Sequence, residues 1–263
     1  MTAVSARVRR ALRSLLSPAP APSGGVSNDY APIAPADVAG TAARLASAWQ
    51  DPAIPSAQLA VAEDELRRYA RRERVPVFDT FVSLLGEIPA PRRRTVLEVG
   101  CASGYYGDVL RLAMPDARYA GCDYSQPLID VARRRLPDVD FRIADATRLG
   151  YADASYDVVV SGCCILHIAN YAVAIREAAR VARHYVLFHR TPVLHLTPTT
   201  HYRKRAYGVE CVETHFNEAE LCRLFAASGL RVAHVATVDV GAHSPVGDVQ
   251  LTKSYLCVKA GDA

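Results

Sequence analysis

The sequence predicts an α/β fold: a doubly wound, mostly parallel, seven-stranded sheet with a C-terminal antiparallel hairpin and a helical N-terminal cover. Three observations lead to this prediction. Short β-branched runs alternate with helical stretches from Thr95 onward, the last two runs have no helix between them, and residues 36–87 show helical periodicity. A helix between two strands implies a right-handed crossover, so the alternating strands should be parallel.

Residues 1–35 are expected to form a flexible basic tail and linker. Apolar side chains recur at helical spacing in residues 1–16, at Val4, Val8, Leu12 and Leu15. A short amphipathic helix there could make weak contact with an anionic membrane. A frayed tail is the favoured alternative, because so short a helix is marginal in water. Residues 18–25 read as a linker that separates this tail from the fold.

Residues 36–90 are expected to form the helical cover. This segment is rich in alanine as far as Trp49, is broken by Pro52 and Pro55, and then becomes periodic again. Residues 91–263 should form the main domain, because a chain of 263 residues supports one well-filled core and is too short for two large domains.

Five strands are predicted in the first part of the main domain, with helices between them. They are residues 95–99, 118–122, 140–144, 156–160 and 185–188. Asn217 is predicted to cap the following helix by accepting from the Glu220 amide, and Gly229 should end that helix in a left-handed conformation. Residues 231–238 and 251–258 should then pair as the antiparallel hairpin.

Composition excludes several classes of protein. No run of about 18 apolar residues is present to span a membrane, and the N-terminus lacks the apolar stretch of a signal peptide, so we expect a soluble, cytoplasmic protein. The seven cysteines are odd in number and include no C-x-x-C pair, which argues against a disulfide framework and against a zinc site. We therefore predict no bound metal.

Charge gives no reason to expect a nucleic-acid partner. The formal net charge is +4, and arginines 7, 9, 10 and 13 of the tail account for all of it. A protein body without net charge has no electrostatic attraction for a polyanionic nucleic-acid backbone, so a small-molecule partner is favoured. The oligomeric state is left open.

A glycine-containing turn follows the first strand and leads directly into a helix. It reads Glu98-Val-Gly100-Cys101-Ala102-Ser-Gly104. Glycines let a chain turn sharply and let a ligand approach the backbone, and ligands of parallel sheets bind beyond the carboxyl ends of the strands.

Acidic residues stand at three consecutive strand ends. Asp123 follows the second strand, where a carboxylate can accept both hydroxyls of a ribose, and Asp145 follows the third, where it could accept from an adenine amine. Glu98 lies close enough to the turn to help bind an ammonium. Either aspartate by itself could be a helix N-cap, so their joint placement carries the prediction of a cationic, ribose-bearing ligand.

Residues 95–186 resemble the class I, Rossmann-like, S-adenosylmethionine-dependent methyltransferases. The resemblance implies S-adenosylmethionine as cofactor, ribose binding by Asp123 and adenine binding near Asp145. It also implies contacts at the glycine turn and after the strands, from Gly100, Cys101, Ala102, Gly104, Tyr124, Ala146, Gly162 and Cys163. The sequence departs from the commoner family pattern at Ala102, where glycine is usual.

The expected reaction is in-line methyl transfer to an oxygen or nitrogen of a small molecule. Such an acceptor benefits from a general base, and histidine is the side chain best suited to that task near neutral pH. We rank His189, at the end of the fifth strand, first and His167 second. The alternative for each is a histidine that only makes local hydrogen bonds.

Residues 189–216 are expected to form a long loop on the substrate side. Arg190 and Tyr202, with the neighbouring basic residues 203–205, could meet an anionic acceptor. The aromatic side chains of Trp49, Tyr105 and Tyr106 could form walls near the sulfonium. Helix packing is the alternative for Trp49. The spacing of histidines 189, 195 and 201 is not read as a metal site, because an extended loop does not bring that spacing onto one face.

Two other functions remain open. A nicotinamide-dependent oxidoreductase would share the fold class, but the G-x-G-x-x-G pattern is absent and Glu98 would repel a pyrophosphate. A scaffold protein could retain the fold and bind the cofactor without catalysis.

Overall fold

A computed structural model describes residues 29–243 and 247–261. The predicted amphipathic stretch 1–16 and the linker 18–25 lie outside these residues. Within them, no helix is both long enough and apolar enough to cross a membrane.

The N-terminal part of the described chain is mostly helical. It consists of a short strand β1 (Ala31–Pro32) and helices α1 (Val38–Arg44), α2 (Ile54–Ala70) and α3 (Pro76–Gly86). Prolines occupy the first turns of α2 and α3, where a missing backbone N–H costs no hydrogen bond. Residues 31–32 were expected to be part of a flexible linker; they are instead paired with a later strand.

The middle of the chain alternates strands and helices as predicted. The elements are β2 (Thr95–Val99), α4 (Tyr105–Ala113), β3 (Arg118–Asp123), α5 (Gln126–Arg135), β4 (Asp140–Ile143), β5 (Tyr156–Gly162), α6 (Tyr171–Val181) and β6 (Ala182–Leu194). The strands β2 to β6 are parallel to their neighbours in the order β4-β3-β2-β5-β6. This confirms the predicted fold class.

The chain ends with two hairpins separated by a helix. The elements are β7 (Thr200–Ala206), β8 (Val209–Asn217), α7 (Glu218–Ala227), β9 (Leu230–His243) and β10 (Val249–Lys259). β10 lies antiparallel between β6 and β9, so the predicted C-terminal hairpin is confirmed. The side chain of Asn217 accepts from the Glu220 amide at 3.1 Å, and Gly229 has a φ of +75°, both as predicted.

The predicted loop over residues 189–216 is wrong. Most of that segment forms strand: β6 continues to Leu194, and β7 and β8 pair antiparallel through a two-residue turn at Tyr207 and Gly208. Both turn residues have positive φ values, +51° and +87°, which is the geometry that matches the twist of a tight hairpin. β8 joins the end of β6, and β7 pairs with β1.

Alternate residues of the central strands face two separate layers of helices. Val96 and Leu187 pack with α3 and α4, where Phe78 and Phe81 are fully buried, while Leu97 packs with α6 and α7. Because each large apolar side chain contributes about 1.5–3 kcal/mol when fully buried, these two layers hold the strand ends in place. The site at those ends is therefore built on rigid elements.

Candidate functional site

A cavity of about 1140 Å³ opens at the carboxyl ends of the parallel strands. Its walls come from these strand ends, from the N-terminal cover near Trp49 and from the β7–β8 hairpin. Typical single-ligand pockets occupy roughly 300–1,000 Å³, so this volume is sufficient for two small ligands side by side.

Polar residues follow one another along this edge in the order of the strands. Asp145 follows β4, Asp123 ends β3, Gly100 follows β2, Cys163 follows β5, and Arg190 lies within β6. Neighbouring strands are about 4.8 Å apart, so the row spans four such intervals. Acidic groups stand at the β4 and β3 end, and a guanidinium stands at the β6 end.

The glycine turn lines the cavity through Gly100 and Ala102. Gly100 has a φ of +74°, and a Cβ at this position would overlap the sulfur of Cys164. Ala102 also has a positive φ, +50°, although it carries a side chain. Its amide is held by the carboxylate of Asp123 at 3.0 Å, which stabilises this conformation.

Asp123 is buried at the back of the cavity and connects two segments of backbone. One carboxylate oxygen accepts from Ala102 N, and the other accepts from Ser125 N at 2.9 Å. Burial raises the pKa of Asp123, although its hydrogen bonds with backbone amides favour the ionised form. Each oxygen has further lone pairs available for ligand hydroxyls.

Residues just after Asp123 anchor the N-terminal cover over the cavity. The hydroxyl of Tyr124 donates to the Ala46 carbonyl at 3.1 Å, and that of Ser125 donates to the Trp49 carbonyl at 2.7 Å. Tyr124 itself lines the cavity. The cover is therefore positioned by the strand end that carries Asp123.

Asp145 and Ala146 lie at the rim, on the β4 side. Asp145 is exposed, and its Oδ1 accepts from the Thr147 amide at 2.7 Å and from the Thr147 hydroxyl at 2.8 Å. This local turn uses one carboxylate oxygen and leaves the other oriented for a ligand or water.

Glu98 lies beneath the cavity rather than in its wall. It is 2% exposed, and its Oε2 accepts a short hydrogen bond from the Tyr119 hydroxyl. A Cβ added to Gly162 would come within 3.0 Å of its Oε1, so the carboxyl group sits directly behind Gly162. Burial raises the pKa of Glu98 to about 8, even though the Tyr119 hydrogen bond opposes this shift.

Two predicted cofactor residues are behind the cavity wall. Cys101 is 1% exposed and packs with Ile129 and Phe141. At Gly104, with φ +74°, a Cβ would come within 2.7 Å of the Phe141 ring. These positions shape the turn and pack it on α5, and neither reaches the cavity.

Cys163 lines the cavity at the end of β5, next to Gly162. It has a φ of +54°, and its amide donates to the His189 carbonyl at 2.8 Å. Burial raises the pKa of this thiol, but the charge of Arg190 and the contact with His167 outweigh that effect and lower it.

His167 also lines the cavity, in a single helical turn over Ile165–His167. Its Nδ1 donates to the Val212 carbonyl at 2.9 Å, and its ring centroid lies 4.8 Å from that of Trp49. Burial lowers the pKa of His167, but contacts with the Cys163 and Cys211 thiols raise it to about 10. Trp49 therefore lines the cavity next to His167, and its place near a sulfonium stays a prediction.

His189, ranked first as the catalytic base, does not line the cavity. It is fully buried between the rings of Phe81 and Tyr106, and its Nδ1 lies 2.8 Å from Ser254 Oγ. Burial and the neighbouring charge of Arg190 hold the pKa of His189 well below its ordinary value. The structure therefore supports the alternative that we gave for it, a histidine that makes local hydrogen bonds.

Two predicted substrate-side aromatic residues are also buried away from the cavity. Tyr106 and Tyr202 are each 0% exposed. Tyr105, which was predicted together with Tyr106, does line the cavity, and so does Tyr207 in the hairpin turn.

Arg190 lines the cavity as predicted. Lys204 does so as well, since side chains alternate along β7: Lys204 points inward while Arg203 and Arg205 are exposed. Arg203 instead pairs with Glu210 at 3.3 Å. Only part of the predicted basic cluster therefore reaches the site.

A buried polar cluster in the hairpin was missed by the sequence analysis. Lys204 Nζ lies 2.6 Å from Glu213 Oε2, and the Tyr30 hydroxyl donates to Glu213 Oε1 at 3.0 Å. His215 Nε2 approaches the same Oε1 at 3.1 Å. Burial opposes ionisation of Glu213, but the hydrogen bond from His215 and the charge of Lys204 hold its pKa well below the ordinary value. Glu213 and His215 lie two positions apart and therefore share one face of a strand, and this spacing was the available signal.

Four of the non-glycine residues with positive φ line this one cavity: Ala102, Cys163, Arg190 and Tyr207. Residues held in this region cost roughly 1–3 kcal/mol each and cluster at functional sites. The backbone strain therefore marks the same cavity as the polar side chains. Across the described residues, the cavity included, no group of three or more His, Cys, Asp or Glu side chains is arranged to hold a metal ion.

Comparison with known families gives a match over the core of the fold. Residues 97–188 match a family described as a methyltransferase domain. A probable S-adenosylmethionine-dependent methyltransferase of Mycolicibacterium smegmatis is 39% identical over 90 residues, 34% of this chain and 34% of that protein. Trans-aconitate 2-methyltransferase of Variovorax paradoxus is 28% identical over 128 residues, 48% of this chain and 49% of that protein. The chain thus spans about a third and about half of these relatives' lengths.

A solved structure shares the fold over most of the chain. It is the 1,6-didemethyltoxoflavin-N1-methyltransferase of Burkholderia thailandensis, crystallised with 1,6-didemethyltoxoflavin and S-adenosylhomocysteine. The TM-score is 0.56 at 18% sequence identity, over 89% of this chain and 99% of that one. At this level of identity the likeness shows the fold alone.

Proposed function

We propose that this chain, whose residues 97–188 belong to the class I S-adenosylmethionine-dependent methyltransferase family, is an enzyme that methylates a small-molecule acceptor. Its cofactor is S-adenosylmethionine. The acceptor atom is an oxygen or a nitrogen, and transfer is an in-line displacement at the methyl carbon.

The observation that carries this proposal is the row of groups along the strand ends. Asp123 accepts the ribose hydroxyls, Asp145 and Ala146 lie beside the adenine, and Gly100 lets the methionine part approach the backbone. Glu98 lies behind Gly162, where a bound ammonium would favour its ionised form over the protonated form that burial favours. The cofactor then runs from β4 towards β5 and directs its methyl group towards the β6 and hairpin side.

The remaining part of the cavity suits a small acceptor. The hairpin, Tyr30 and the cover near Trp49 close it on several sides, which excludes water from the methyl group. The names of two relatives support this reading, since they refer to trans-aconitate and to 1,6-didemethyltoxoflavin, both small molecules.

Cys163 and His167 are the groups best placed to manage a proton. They contact each other on the acceptor side, and the Val212 carbonyl fixes which ring nitrogen of His167 carries hydrogen. Nε2 is then the nitrogen that faces the thiol, so the pair can accept a proton from an acceptor hydroxyl or amine as it is methylated.

Binding and turnover test the proposal separately. Titration calorimetry with S-adenosylhomocysteine should show binding to the chain, and NAD and NADH should show none. Binding of a nicotinamide cofactor instead of S-adenosylhomocysteine would contradict the proposal and favour the oxidoreductase.

A metabolite panel incubated with S-adenosylmethionine should contain an acceptor that gains the mass of a methylene group. If S-adenosylhomocysteine binds and no acceptor in a broad panel is methylated, the scaffold function is favoured. The variant His167→Gln provides the control for turnover, since it should lower the methylation rate without weakening S-adenosylhomocysteine binding.

A further inference from the structure

Arg190 lies in an irregularity between β6 and β10. The register of the two strands shifts between Lys253 and Tyr255, so Ser254 faces both His189 and Arg190. Arg190 has a φ of +59°, in the left-handed region that non-glycine residues rarely occupy. This is the geometry of a β-bulge, with two residues on one strand opposite one residue on the other.

The bulge determines where the Arg190 side chain points. Phe188, His189 and Thr191 on either side are buried, while Arg190 is partly exposed to the cavity. Bulges next to active sites commonly redirect a side chain in this way. The strained backbone conformation at Arg190 therefore directs its guanidinium into the cavity.

Among residues 29–243 and 247–261, this guanidinium forms no ion pair with a carboxylate at close range. The groups that act on its charge are the Cys163 thiol, the hydroxyls of Tyr106 and Tyr105 and, with the smallest effect, the Glu65 carboxylate. Lys204, the other cation of the cavity, is already paired with Glu213. Charged groups at such sites are normally paired, because an unpaired charge away from water is costly.

Cys163 does not neutralise this region by itself. When its thiol is ionised, His167 beside it carries a proton, and Arg190 remains as an extra positive charge. The Lys204–Glu213 pair contributes no net charge. On the acceptor side, Arg190 is therefore the positive charge without an ion-pair partner, although Asp239 also lines the cavity and Glu65 acts on Arg190 from outside it.

We propose that the methyl acceptor is a carboxylic acid and that Arg190 binds its carboxylate. This rests on the proposed methyltransferase function and names its substrate class. The carboxylate is the anchoring group rather than the methylated atom, because pairing with a guanidinium makes an oxygen a poorer nucleophile. The aromatic side chains of Trp49, Tyr105 and Tyr207 surround the rest of the acceptor.

The position of Arg190 favours the acceptor as the source of this carboxylate. Arg190 lies on β6, one strand beyond Cys163, and faces the hairpin that forms the far wall. In the proposed binding mode, the methionine part of the cofactor ends near Gly100, which follows β2, and near Gly162, the last residue of β5. A carboxylate of the cofactor is the competing source, and the experiment below separates the two.

The test uses benzoate and its uncharged analogue benzamide as probes, with and without saturating S-adenosylhomocysteine. Benzoate should bind more tightly than benzamide by about tenfold, as expected for a bidentate arginine–carboxylate pair. Arg190→Met should abolish the preference, and Arg190→Lys should keep part of it. Arg205→Met, on the exposed side of β7, is the matched control and should keep all of it.

Three results would overturn the proposal. Benzoate and benzamide could bind equally to the wild-type chain, or Arg190→Met could retain the preference. Alternatively, Arg190→Met could weaken S-adenosylhomocysteine while leaving 5′-methylthioadenosine, which lacks the amino-acid part, unaffected; Arg190 would then bind the cofactor.

The result does not depend on the Arg190 variants folding. Benzoate, and not benzamide, should slow iodoacetamide labelling of Cys163 in the wild-type chain, because the thiol lies beside the guanidinium. Equal labelling rates would contradict the proposal. Absence of S-adenosylhomocysteine binding would instead refute the proposed function, and the probe comparison without it would still report on Arg190.

Discussion

His189 Nδ1 and Ser254 Oγ lie 2.8 Å apart across the β6–β10 pair, and the same hydroxyl accepts from the Arg190 amide at 3.3 Å. One serine thus connects a buried imidazole to the backbone of the bulge. The side chain of His189 contacts the bulge through this hydroxyl and does not line the cavity, because its ring is enclosed in the core.

Ser254→Ala should loosen the bulge and destabilise the fold. Removing the hydroxyl leaves a buried imidazole nitrogen and the Arg190 amide with one partner fewer, which costs about 1–3 kcal/mol. Urea unfolding measures the loss. Ser56→Ala, at an exposed position in the first turn of α2, is the control and should change the unfolding free energy very little. Equal stability of the two variants would show that the hydrogen bond does not hold the bulge.

Asp123→Asn should weaken S-adenosylhomocysteine binding by about 10- to 100-fold, that is by roughly 1.4–2.8 kcal/mol. The amide cannot accept on both sides, so it loses either the Ala102 and Ser125 contacts or the ribose hydroxyls. Calorimetry measures the affinity. Asp140→Asn serves as the matched control because Asp140 is exposed and paired with Arg142. Unchanged affinity of the Asp123 variant would remove the ribose role.

Deprotonation of Glu98 should lower the free energy of unfolding as pH rises. Burial raises its pKa to about 8 from an ordinary 4.5, so between these values the folded chain holds a proton that the unfolded chain has released. This contribution is fully present below pH 4.5 and is lost as pH rises through 8, by about 1.4 kcal/mol per pH unit.

Glu98→Gln isolates this effect, since glutamine mimics the protonated form and does not titrate. The unfolding free energy of the variant relative to the wild type should therefore rise between about pH 5 and 8 and then level off. Urea unfolding at each pH measures the difference. A constant difference across this range would show that Glu98 is ionised in the folded chain.

Lys204→Met should destabilise the fold by about 3–5 kcal/mol, because it leaves Glu213 as a buried charge without its cation. The double variant Lys204→Met with Glu213→Leu should recover much of that loss, since an apolar pair replaces the ion pair. Thermal unfolding measures both. Arg203→Met, on the exposed face of the same strand, is the control. A double variant no more stable than the single one would contradict the pairing.

Cys163 should be the fastest of the seven cysteines to react with iodoacetamide near neutral pH. Despite the opposing effect of burial, Arg190 and His167 lower the pKa of its thiol, whereas burial raises that of Cys164 and of Cys222, which are also partly exposed. Peptide mass spectrometry over time measures the rates. Comparable labelling of Cys222 would show that the local charges do not activate Cys163.

The periodic part of the fold could be predicted because its causes are local. Alternating β-branched runs and helical stretches mark the five parallel strands, and the Asn217 cap and Gly229 stop depend only on neighbouring residues. Asp123 and Asp145 could be placed at the cavity because Asp123 ends β3 and Asp145 lies two residues after β4.

The hairpin could not be predicted with the same ease. Its turn, Tyr207-Gly208, lacks the Asn-Gly or Asp-Gly signature, because a tyrosine occupies the first position with positive φ. Because that turn was not recognised, the sequence did not predict which side of β7 and β8 faces inward. The cluster of Lys204, Glu213 and Tyr30 also joins residues that are far apart in the chain.

His189 shows a second limit. Its place near a strand end predicted access to the site, but the bulge sends the next side chain, Arg190, into the cavity and leaves His189 in the core. Because a bulge depends on the partner strand, here at Ser254, the local sequence pattern does not predict it. Tyr105 and Tyr106 were both predicted to line the site, but adjacent helix positions point about 100° apart, and of the two Tyr105 lines the cavity.

The β7–β8 hairpin leaves and rejoins the sheet at neighbouring points: Val193 pairs with Phe216, and Leu194 pairs with Asn217. An insertion whose two ends lie about 4.8 Å apart can be shortened, lengthened or exchanged without moving the strands that flank it. Residues 195–215 are thus a natural unit for grafting. Replacing them would change the shape of the cavity on the hairpin side while leaving the side with Asp123 and Gly100 in place.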